Sequence, residues 1–377
     1  MTGKKKLLFL EYFPFMGGGQ KVLLDLIAGL KMRYDIEALV MNHGMMEAAL
    51  EKNRVKTHFL QAPGKVKYRY FNQYLPFFIK LNRFLKENKY DLVYSGSLFA
   101  SKLAGPSCLV NKIPLIWHKQ LIIEKSYYSY NASQARLVSG FAKRIICVSE
   151  ASRLSMIRAG VALEKLITIH NGVKIPRGPM SKARMKFRKK FRVGGNFVCG
   201  TVCIFRRNKG LEMLIDAAEI ISKAAMHDMK FVLVGRADSG EEWFEEKLRE
   251  KVKEKKLKNF IFAGYGDKYA FMPGFDLYVM PSPMEPFGLV TIEAMGIGVP
   301  AAGFNTGGTA EIITDGKDGF LAGQVSPRAL AEKIIYAYKN RKKLGAMSKK
   351  AAASVKEKFS LEKQTAAVRG VIEACIK

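Results

Sequence analysis

Residues that build disulfide-rich or metal-bound proteins are scarce in this sequence. Its 377 residues include five cysteines, an odd number, and five histidines. The cysteines are scattered and lie mostly in apolar runs such as Arg144–Val148. This distribution predicts buried thiols in a reducing compartment, and the spacing of the cysteines matches no metal-ligand pattern.

Long hydrophobic runs are also missing, although 48% of the residues are hydrophobic. No uninterrupted apolar run approaches the ~18 residues that span a bilayer. The basic start Met1–Lys6 leads directly into the strand-like run Leu7–Leu10, and no cleavage-site pattern follows. We therefore predict a cytoplasmic protein whose association with the inner face of the membrane, if any, is peripheral.

Acidic residues are outnumbered almost two to one, because 33 Asp and Glu stand against 63 Lys and Arg, a formal charge of +30. A charge of this size predicts an anionic partner. The charge alone does not distinguish nucleic acid, acidic lipid and phosphorylated small molecules. Basic residues are dispersed over both halves, with no zinc finger and no RNA-binding aromatic signature, so nucleic acid is not the expected partner.

The order of the apolar runs predicts two domains of one kind. Short strand-like runs alternate with longer amphipathic patterns, which is typical of a parallel α/β sheet. The alternation stops at Ile175–Gly195, which is rich in Pro, Gly and basic residues, and then restarts. We predict two doubly wound, Rossmann-like parallel-sheet domains, residues 1–175 and 196–358, facing across a cleft. Residues 176–195 are the predicted linker, and a helix in 359–377 is expected to cross back to the first domain.

Ligands bind at the carboxyl ends of the strands in such folds, so the connections there carry the functional signal. The first connection, Pro14–Gln20, contains Gly17, Gly18 and Gly19 and leads into a helix. Glycines here allow backbone amides to approach a pyrophosphate at the positive helix end. A tight turn that needs glycine explains this loop equally well. Neither a Walker phosphate loop nor a full dinucleotide fingerprint is present, which argues against ATPase and NAD-dependent activities.

A second connection of this kind is basic. Arg206, Arg207 and Lys209 lie on a turn directly before a helix that begins near Leu211. Fixed cations at a helix N-terminus suit a diphosphate whose charge grows as it departs as a leaving group. By itself the turn is equally consistent with a solvated basic surface.

Two carboxylates follow in the segment Pro281–Met295. Glu285 lies on a proline-rich loop, Gly288 opens a new helix, and Glu293 lies on that helix. Carboxylates in these places can accept hydrogen bonds from sugar hydroxyls. Solvation of both is the alternative, but Glu293 lies in an apolar stretch, where a carboxylate needs a partner.

The segment resembles the E-x7-E motif of family 4 glycosyltransferases, which are retaining enzymes of the GT-B fold. Glu285 and Glu293 take the positions of its two acidic residues. Further landmarks occur in family order over nearly the whole chain: Gly17–Gly19, Asn171–Val173, Lys209–Gly210, Val234–Gly235, Gly298–Pro300, Gly307–Glu311 and Asp315–Leu321. The resemblance implies an α/β protein of GT-B architecture and a hexosyltransferase that needs neither a cofactor nor a metal ion. The absence of an Asp-x-Asp metal motif agrees with a metal-free diphosphate site.

The resemblance also implies the residues of the site. Gly18 and Gly19 would contact the donor diphosphate, and Lys209 would neutralise it. Glu285 and the amides after it would hold the sugar and phosphate, while Glu293 would hold the ribose hydroxyls. The complete donor-binding set is Gly18, Gly19, Arg206, Lys209, Glu285, Pro286, Phe287, Gly288, Leu289, Val290 and Glu293.

Two positions depend more strongly on the resemblance. The family has an arginine where this chain has Ile204, and we expect Arg206 or Arg207 to supply the missing charge. His118 ends an apolar strand, and in similar enzymes a histidine at this place contacts the transferred sugar. The resemblance therefore implies that His118 and Glu285 are the catalytic pair. A lone histidine at a strand end is otherwise more often structural.

The helix after Pro76 bears on the acceptor, because an apolar stripe runs beside basic residues. The stripe comprises Phe77, Phe78, Leu81, Phe84 and Leu85, and the basic residues are Lys80, Arg83, Lys86 and Lys89. Such a helix either lies in an anionic membrane interface or packs on the sheet of the first domain, and the sequence leaves both open. Since Lys65–Tyr70 adds further basic residues, we expect the first domain to bind a lipid-linked or cell-surface glycan precursor.

These observations predict transfer of a hexose or N-acetylhexosamine from a UDP- or GDP-linked donor. Three alternatives stay open: a sugar-nucleotide epimerase of the same fold, a non-catalytic sugar-nucleotide binder, and a nucleic-acid-binding protein. An epimerase normally offers several acids for proton transfer at carbon, and the sequence contains no such cluster. Ile204, in place of the family arginine, keeps the non-catalytic binder open.

Overall fold

The structure, a computed structural model, describes residues 3–63, 71–123, 132–176, 178–224, 226 and 228–377. The chain forms two compact units, each built around one parallel sheet. The first unit combines Met1–Gly172 with Leu361–Lys377, and the second unit is Val173–Ser360. The predicted fold class, α/β with two Rossmann-like parallel-sheet domains, is confirmed.

The first unit has a seven-stranded parallel sheet. Its strands are β1 (Lys6–Glu11), β2 (Asp35–Val40), β3 (Lys56–Phe59), β4 (Leu92–Ser95), β5 (Leu115–Lys119), β6 (Arg144–Cys147) and β7 (Leu166–Thr168). Its helices before the crossing to the second unit are α1 (Gly18–Leu30), α2 (Met45–Lys52), α3 (Phe71–Asn88), α4 (Leu98–Val110), α5 (Ala132–Phe141) and α6 (Glu150–Arg158). The strand order β3-β2-β1-β4-β5-β6-β7 reverses between β1 and β4. A reversal of this kind opens a crevice at the carboxyl ends of those two strands.

Apolar side chains on both faces of this sheet explain why it is parallel and covered by helices. Leu8 and Leu10 of β1 pack with Leu81 of α3 in one buried cluster. Trp117 of β5 packs with Val138 of α5 in another. The sheet therefore forms a rigid base for the loops at its carboxyl edge.

The second unit repeats this plan with six strands. They are β8 (Phe197–Val202), β9 (Met229–Val234), β10 (Phe260–Gly264), β11 (Leu277–Met280), β12 (Ala301–Phe304) and β13 (Gly319–Ala322), in the order β10-β9-β8-β11-β12-β13. The helices are α7 (Ser181–Lys190), α8 (Leu211–Lys223), α9 (Glu242–Glu254), α10 (Lys268–Phe271), α11 (Leu289–Gly296), α12 (Thr309–Ile312), α13 (Pro327–Lys339) and α14 (Leu344–Lys358). The order reverses between β8 and β11, so a crevice is expected at their carboxyl ends.

The segment predicted to be a basic linker, residues 176–195, contains helix α7 and lies in the second unit. Arg184 Nη2 lies 2.6 Å from one Asp276 oxygen, and Arg188 Nη1 lies 3.2 Å from the other. Phe187 is buried beside Phe275, with ring centroids 5.5 Å apart. The sequence of this segment is typical of a linker because it is basic and has no acidic partner nearby. That partner, Asp276, lies 92 residues after Arg184 in the sequence.

The last helix, α15 (Leu361–Ile376), completes the first unit. Arg33 Nε lies 3.2 Å from Glu373 Oε1. Lys143 Nζ donates to the carbonyl oxygen of Cys375 at 2.9 Å. The chain therefore leaves the first unit once and returns to it with this helix.

Helix α3 shows which interpretation of its apolar stripe the structure supports. Phe77, Leu81 and Leu85 are buried in the core of the first unit. Leu75 and Ile79 remain 54% and 56% exposed. The stripe therefore packs on the sheet through these three residues, while Leu75 and Ile79 form an exposed apolar pair one turn apart.

Within the described ranges, no helix combines the length and the apolarity needed to cross a bilayer. All five cysteines are unbridged, and four of them are buried. The basic segment that we associated with the acceptor, Lys65–Tyr70, lies outside the described residues.

Candidate active site

The second unit brings together the lysine and the first carboxylate that the sequence predicted. Lys209 Nζ lies 2.9 Å from Oε2 and 3.1 Å from Oε1 of Glu285. The Lys209 and Glu285 side chains are 23% and 12% exposed, so the ion pair is partly shielded from water. The two residues are 76 positions apart in sequence. They meet because the strands that precede them, β8 and β11, are neighbours in the sheet.

Close backbone packing holds the basic turn against the loop that carries Glu285. The turn is a 3₁₀ turn, Arg207–Lys209, and it ends at Gly210, whose φ is +66°. A Cβ at Gly210 would lie 1.9 Å from the carbonyl oxygen of Pro281, so only glycine fits. This contact fixes the position of Lys209 relative to the proline-rich loop.

The proline-rich loop ends at a helix start without a side-chain cap. Gly288 precedes α11 with a φ of +112°, and the first turn of α11 has no acidic residue. The positive end of the helix dipole therefore has no compensating side chain in that turn, which favours an anion nearby. Phe287 is buried, while Pro286, Leu289 and Val290 are half-buried.

The second predicted carboxylate, Glu293, is only 1% exposed. Its Oε1 accepts a hydrogen bond from Lys268 Nζ at 2.6 Å. Lys268 begins α10, which follows β10. The partner that a carboxylate in an apolar stretch requires is therefore a lysine from another connection of the sheet.

The two arginines that were expected to replace the family arginine have partners of their own. Arg206 forms an ion pair with Asp238. The guanidinium of Arg207 stacks over the ring of Trp243, 4.7 Å from its centroid. Both arginines come shortly before Lys209 in the sequence, but Asp238 holds the side chain of Arg206 and Trp243 holds that of Arg207.

In the first unit, the predicted glycine loop leads into α1. The N–H of Gly17 donates to Gln20 Oε1 at 3.1 Å, and the helix begins at Gly18. Gly19 packs against Gln120, because a Cβ at Gly19 would lie 3.4 Å from Gln120 Cγ. The loop is therefore anchored both on its own helix and on the residue that follows β5.

A buried carboxyl group precedes this loop. Glu11 ends β1 and is 2% exposed, and its Oε1 accepts the N–H groups of Tyr12 at 2.8 Å and Phe13 at 2.9 Å. Burial raises the pKa of Glu11 from 4.5 to about 7, although hydrogen bonds from Phe13, Tyr12 and Gln20 act in the opposite direction. A carboxyl group with this pKa changes between its protonated and ionised forms near neutral pH.

His118 lies near the end of β5 and is fully buried. Its Nδ1 is 2.8 Å from the hydroxyl oxygen of Tyr94. Burial lowers the pKa of His118 from 6.5 to about 3, so the imidazole is neutral at pH 7. The next residue, Lys119, is also buried, and burial lowers its pKa from 10.5 to about 7.

Four residues that lie beside the predicted site residues were not predicted themselves. Glu11, Tyr94 and Gln120 belong to the first unit, and Lys268 belongs to the second. Glu11 and Gln120 lie at the ends of predicted apolar strands, so a polar residue at a strand end was the available signal. Tyr94 lies inside a strand and gives no such signal. Across the described parts of the chain, no three His, Cys, Asp or Glu side chains come together as possible metal ligands.

Two protein-family models match the chain, one for each half. The model described as Glycosyltransferase Family 4 matches residues 16–177. The model described as Glycosyl transferases group 1 matches residues 183–354. The first range includes the glycine loop and His118, and the second includes Lys209, Glu285 and Glu293.

Relatives and solved structures agree with these matches. The uncharacterized glycosyltransferase MJ1178 of Methanocaldococcus jannaschii is 28% identical over 378 residues, covering 96% of each chain. The lipopolysaccharide core biosynthesis mannosyltransferase LpsB of Rhizobium meliloti is 25% identical over 278 residues, which cover 71% of this chain and 78% of LpsB. The crystal structure of Alr3699/HepE from Anabaena in complex with UDP-glucose matches the fold with a TM-score of 0.84 at 24% identity, covering 98% of this chain and 99% of HepE. The two matched domains, with the fold that HepE shares, show that this chain belongs to the glycosyltransferases of the GT-B fold.

Proposed function

We propose that the chain is a retaining, metal-independent glycosyltransferase that moves a hexose or N-acetylhexosamine from a nucleotide-diphosphate sugar. The observation that carries the proposal is the Lys209–Glu285 ion pair beside the uncapped start of α11. A compact ammonium and a positive helix end both favour a phosphate group. HepE, whose crystal structures hold UDP or UDP-glucose, shares this fold, which supports a uridine nucleotide ahead of a guanosine one as the first donor to test.

Lys209 and Glu285 would act in sequence as the donor binds. In the free protein Glu285 neutralises Lys209. An arriving diphosphate competes for Lys209, and Glu285 is then available to accept hydrogen bonds from sugar hydroxyls. As the glycosidic bond breaks, negative charge grows on the diphosphate, and Lys209 stabilises that charge.

The remaining predicted residues would orient the two ends of the donor. The ion pair with Lys268 supports an ionised Glu293, and an ionised carboxylate accepts hydrogen bonds from the two ribose hydroxyls. Gly18 and Gly19 would contact the diphosphate through their amides, and His118 would contact the transferred sugar. In this proposal the sugar is transferred on one face, with the departing phosphate helping to deprotonate the acceptor. The protein contributes positioning and charge stabilisation.

The acceptor in this proposal is a lipid-linked or cell-surface glycan precursor bound by the first unit. The relative LpsB is named for lipopolysaccharide core biosynthesis, which supports a glycan acceptor. The exposed pair Leu75 and Ile79 lies on α3 beside the exposed basic residues Lys80 and Arg83. An apolar and basic surface of this kind favours an anionic membrane, and we expect the protein to sediment with anionic vesicles at low salt. Failure to sediment under those conditions would contradict the membrane part of the proposal alone.

The enzymatic proposal is tested by incubating the protein with UDP- and GDP-linked sugars and a lipid-linked glycan precursor as the acceptor, and by measuring the release of nucleoside diphosphate with and without EDTA. We expect release that EDTA does not reduce. We also expect Lys209→Ala to lower kcat/KM by roughly 100-fold, because it removes charge stabilisation of the leaving group. Lys223→Ala is the matched control, since it removes an exposed lysine that pairs with Glu219 in the same unit.

Each alternative gives a different result in this experiment. Interconversion of the donor sugar without transfer would identify an epimerase. A thermal shift with UDP but no release from any sugar nucleotide would identify a non-catalytic binder. The anomeric configuration of the product, measured by NMR, decides whether the reaction retains or inverts, and an inverted product would refute the retaining mechanism.

A further inference from the structure

The buried contact between Tyr94 and His118 bears on which ring nitrogen of His118 carries the hydrogen. The hydroxyl oxygen of Tyr94 lies 2.8 Å from His118 Nδ1, and both side chains are fully buried. The two rings meet edge to face at 83°. Phe9 stacks on the Tyr94 ring with centroids 4.8 Å apart, which restricts the phenol. Packing therefore holds the hydroxyl in front of Nδ1.

The two nitrogen atoms of His118 have different surroundings. Nδ1 faces the Tyr94 hydroxyl, whereas Nε2 is buried without a hydrogen-bond partner among the described residues. A neutral imidazole carries one hydrogen, on one of its two nitrogens. Burial, which lowers the pKa of His118 to about 3, keeps the ring in this neutral form at pH 7.

The number of unsatisfied groups decides which nitrogen carries the hydrogen. If Nδ1 carries it and donates to Tyr94, the phenol hydrogen has no acceptor in the described part of the chain, and the Nε2 lone pair has no donor. If Nε2 carries it, the phenol donates to Nδ1, and only the Nε2–H group is unsatisfied. Each buried unsatisfied polar group costs more than a typical hydrogen bond returns, so the second arrangement is preferred.

We propose that Tyr94 is a positioning residue that fixes His118 as the Nε2–H tautomer, so that His118 serves as a hydrogen-bond donor to a ligand oxygen and not as a base. A sugar hydroxyl or a phosphate oxygen of the donor supplies the acceptor that Nε2–H lacks among the described residues. The identity of that ligand rests on the proposed function. The tautomer rests only on the contacts within the first unit.

The tautomer is measured by NMR on protein labelled with 15N-histidine, with the His118 signals assigned from their loss in His118→Gln. We expect a protonated Nε2 and an unprotonated Nδ1 in the wild-type protein. In Tyr94→Phe both tautomers leave the same number of unsatisfied groups, so we expect the preference for Nε2–H to disappear. Tyr90→Phe is the matched control, because it removes a buried hydroxyl that donates to Glu37 at 2.6 Å and leaves His118 as it is.

Two results would overturn the proposal at this stage. One is a wild-type His118 with its hydrogen on Nδ1. The other is a Tyr94→Phe protein that folds normally by circular dichroism and keeps a pure Nε2–H tautomer. Both results are independent of any enzymatic activity.

The ligand is then identified by titrating the labelled protein with UDP and with UDP-glucose. A change in the Nε2 signal with UDP-glucose alone indicates a sugar oxygen, and a change with both ligands indicates a phosphate oxygen. Binding is verified in parallel by thermal shift. No change at saturation with either bound ligand would refute the donor role of His118.

Turnover separates this proposal from the proposed function. We expect Tyr94→Phe to lower kcat about 10-fold, the effect of one lost buried hydrogen bond, and to leave the KM for the donor within about twofold. An unchanged kcat, together with a lost tautomer preference, would refute the role of Tyr94 in the reaction. If no sugar nucleotide is turned over by the wild-type protein, the proposed function fails while the tautomer measurement still decides the structural part.

Discussion

Glu11 makes the stability of the first unit depend on pH in a direction that is easy to measure. Its carboxyl group is buried, and burial raises its pKa from 4.5 to about 7. Because the folded pKa lies above the unfolded value, the folded state binds this proton more tightly. The contribution of Glu11 to stability is therefore fully present below pH 4.5 and is lost as the pH rises through 7.

The size of the effect follows from the two pKa values. A rise from 4.5 to about 7 corresponds to about 3 kcal/mol in total, of which roughly 2.5 kcal/mol is lost between pH 5 and pH 8. Glu11→Gln removes this titration and keeps an oxygen for the N–H groups of Tyr12 and Phe13. Its new amide hydrogens take the buried position of Oε2, so they add a cost of roughly 1–3 kcal/mol that does not depend on pH.

The measurement is urea denaturation at pH 5, 6, 7 and 8 at constant ionic strength. The chain has two tryptophans, so a Trp243→Phe background leaves Trp117, which is buried in the first unit, as the reporter of that unit. We expect the free energy of unfolding of Glu11→Gln to rise by about 2.5 kcal/mol relative to its parent between pH 5 and pH 8. His118 titrates in the opposite direction, but its contribution is common to both proteins and cancels in the difference. A difference that stays constant within about 0.5 kcal/mol would refute the burial argument.

Three further substitutions test other parts of the structure. Lys268→Met removes the ammonium beside the buried Glu293, and we expect a loss of about 3 kcal/mol in the unfolding free energy of the second unit by urea denaturation. Gly210→Ala forces a Cβ into the carbonyl of Pro281 at a φ of +66°, so we expect a lower melting temperature by calorimetry and a loss of at least about 2 kcal/mol. Burial raises the pKa of Glu37, but hydrogen bonds outweigh burial and lower it to about 2; the donors are Tyr90, Lys56, His58 and Lys6. Its stabilisation is therefore present above pH 4.5 and lost as the pH falls toward 2, and an acid titration of Glu37→Gln should lack that loss.

Strands with continuous apolar runs were predictable from the sequence alone. The predicted strand-like run Leu7–Leu10 lies within β1, Lys6–Glu11. Strand β3, Lys56–Phe59, was not predicted, because it has no fully buried residue and therefore no apolar run. Helix α7 was interpreted as a linker, because its basic residues find their acidic partner only in the folded chain.

The same limit applies to the site. The family order of motifs predicted both Lys209 and Glu285, and the neighbouring strands of the sheet bring them together. Lys268 was missed, because its pairing with Glu293 depends on two connections folding side by side. The neutral state of His118 follows from complete burial, which a residue pattern does not report. The roles of the predicted site residues in binding and catalysis stay predictions.

The path of the chain has a consequence for how the protein is synthesised. In the second unit, Val173 N donates to Phe359 O at 2.9 Å, so the first and last residues of this unit lie side by side. In the first unit, Gly172 N donates to Gln364 Oε1 at 2.8 Å, so the segment that leaves this unit lies beside the helix that returns to it. The second unit is thus one continuous insertion, and it can fold as soon as it emerges from the ribosome. The first unit starts earlier but waits for α15, which is translated only after the whole insertion, before it is complete. A chain truncated before Leu361 should therefore yield a folded insertion attached to an incomplete, aggregation-prone host.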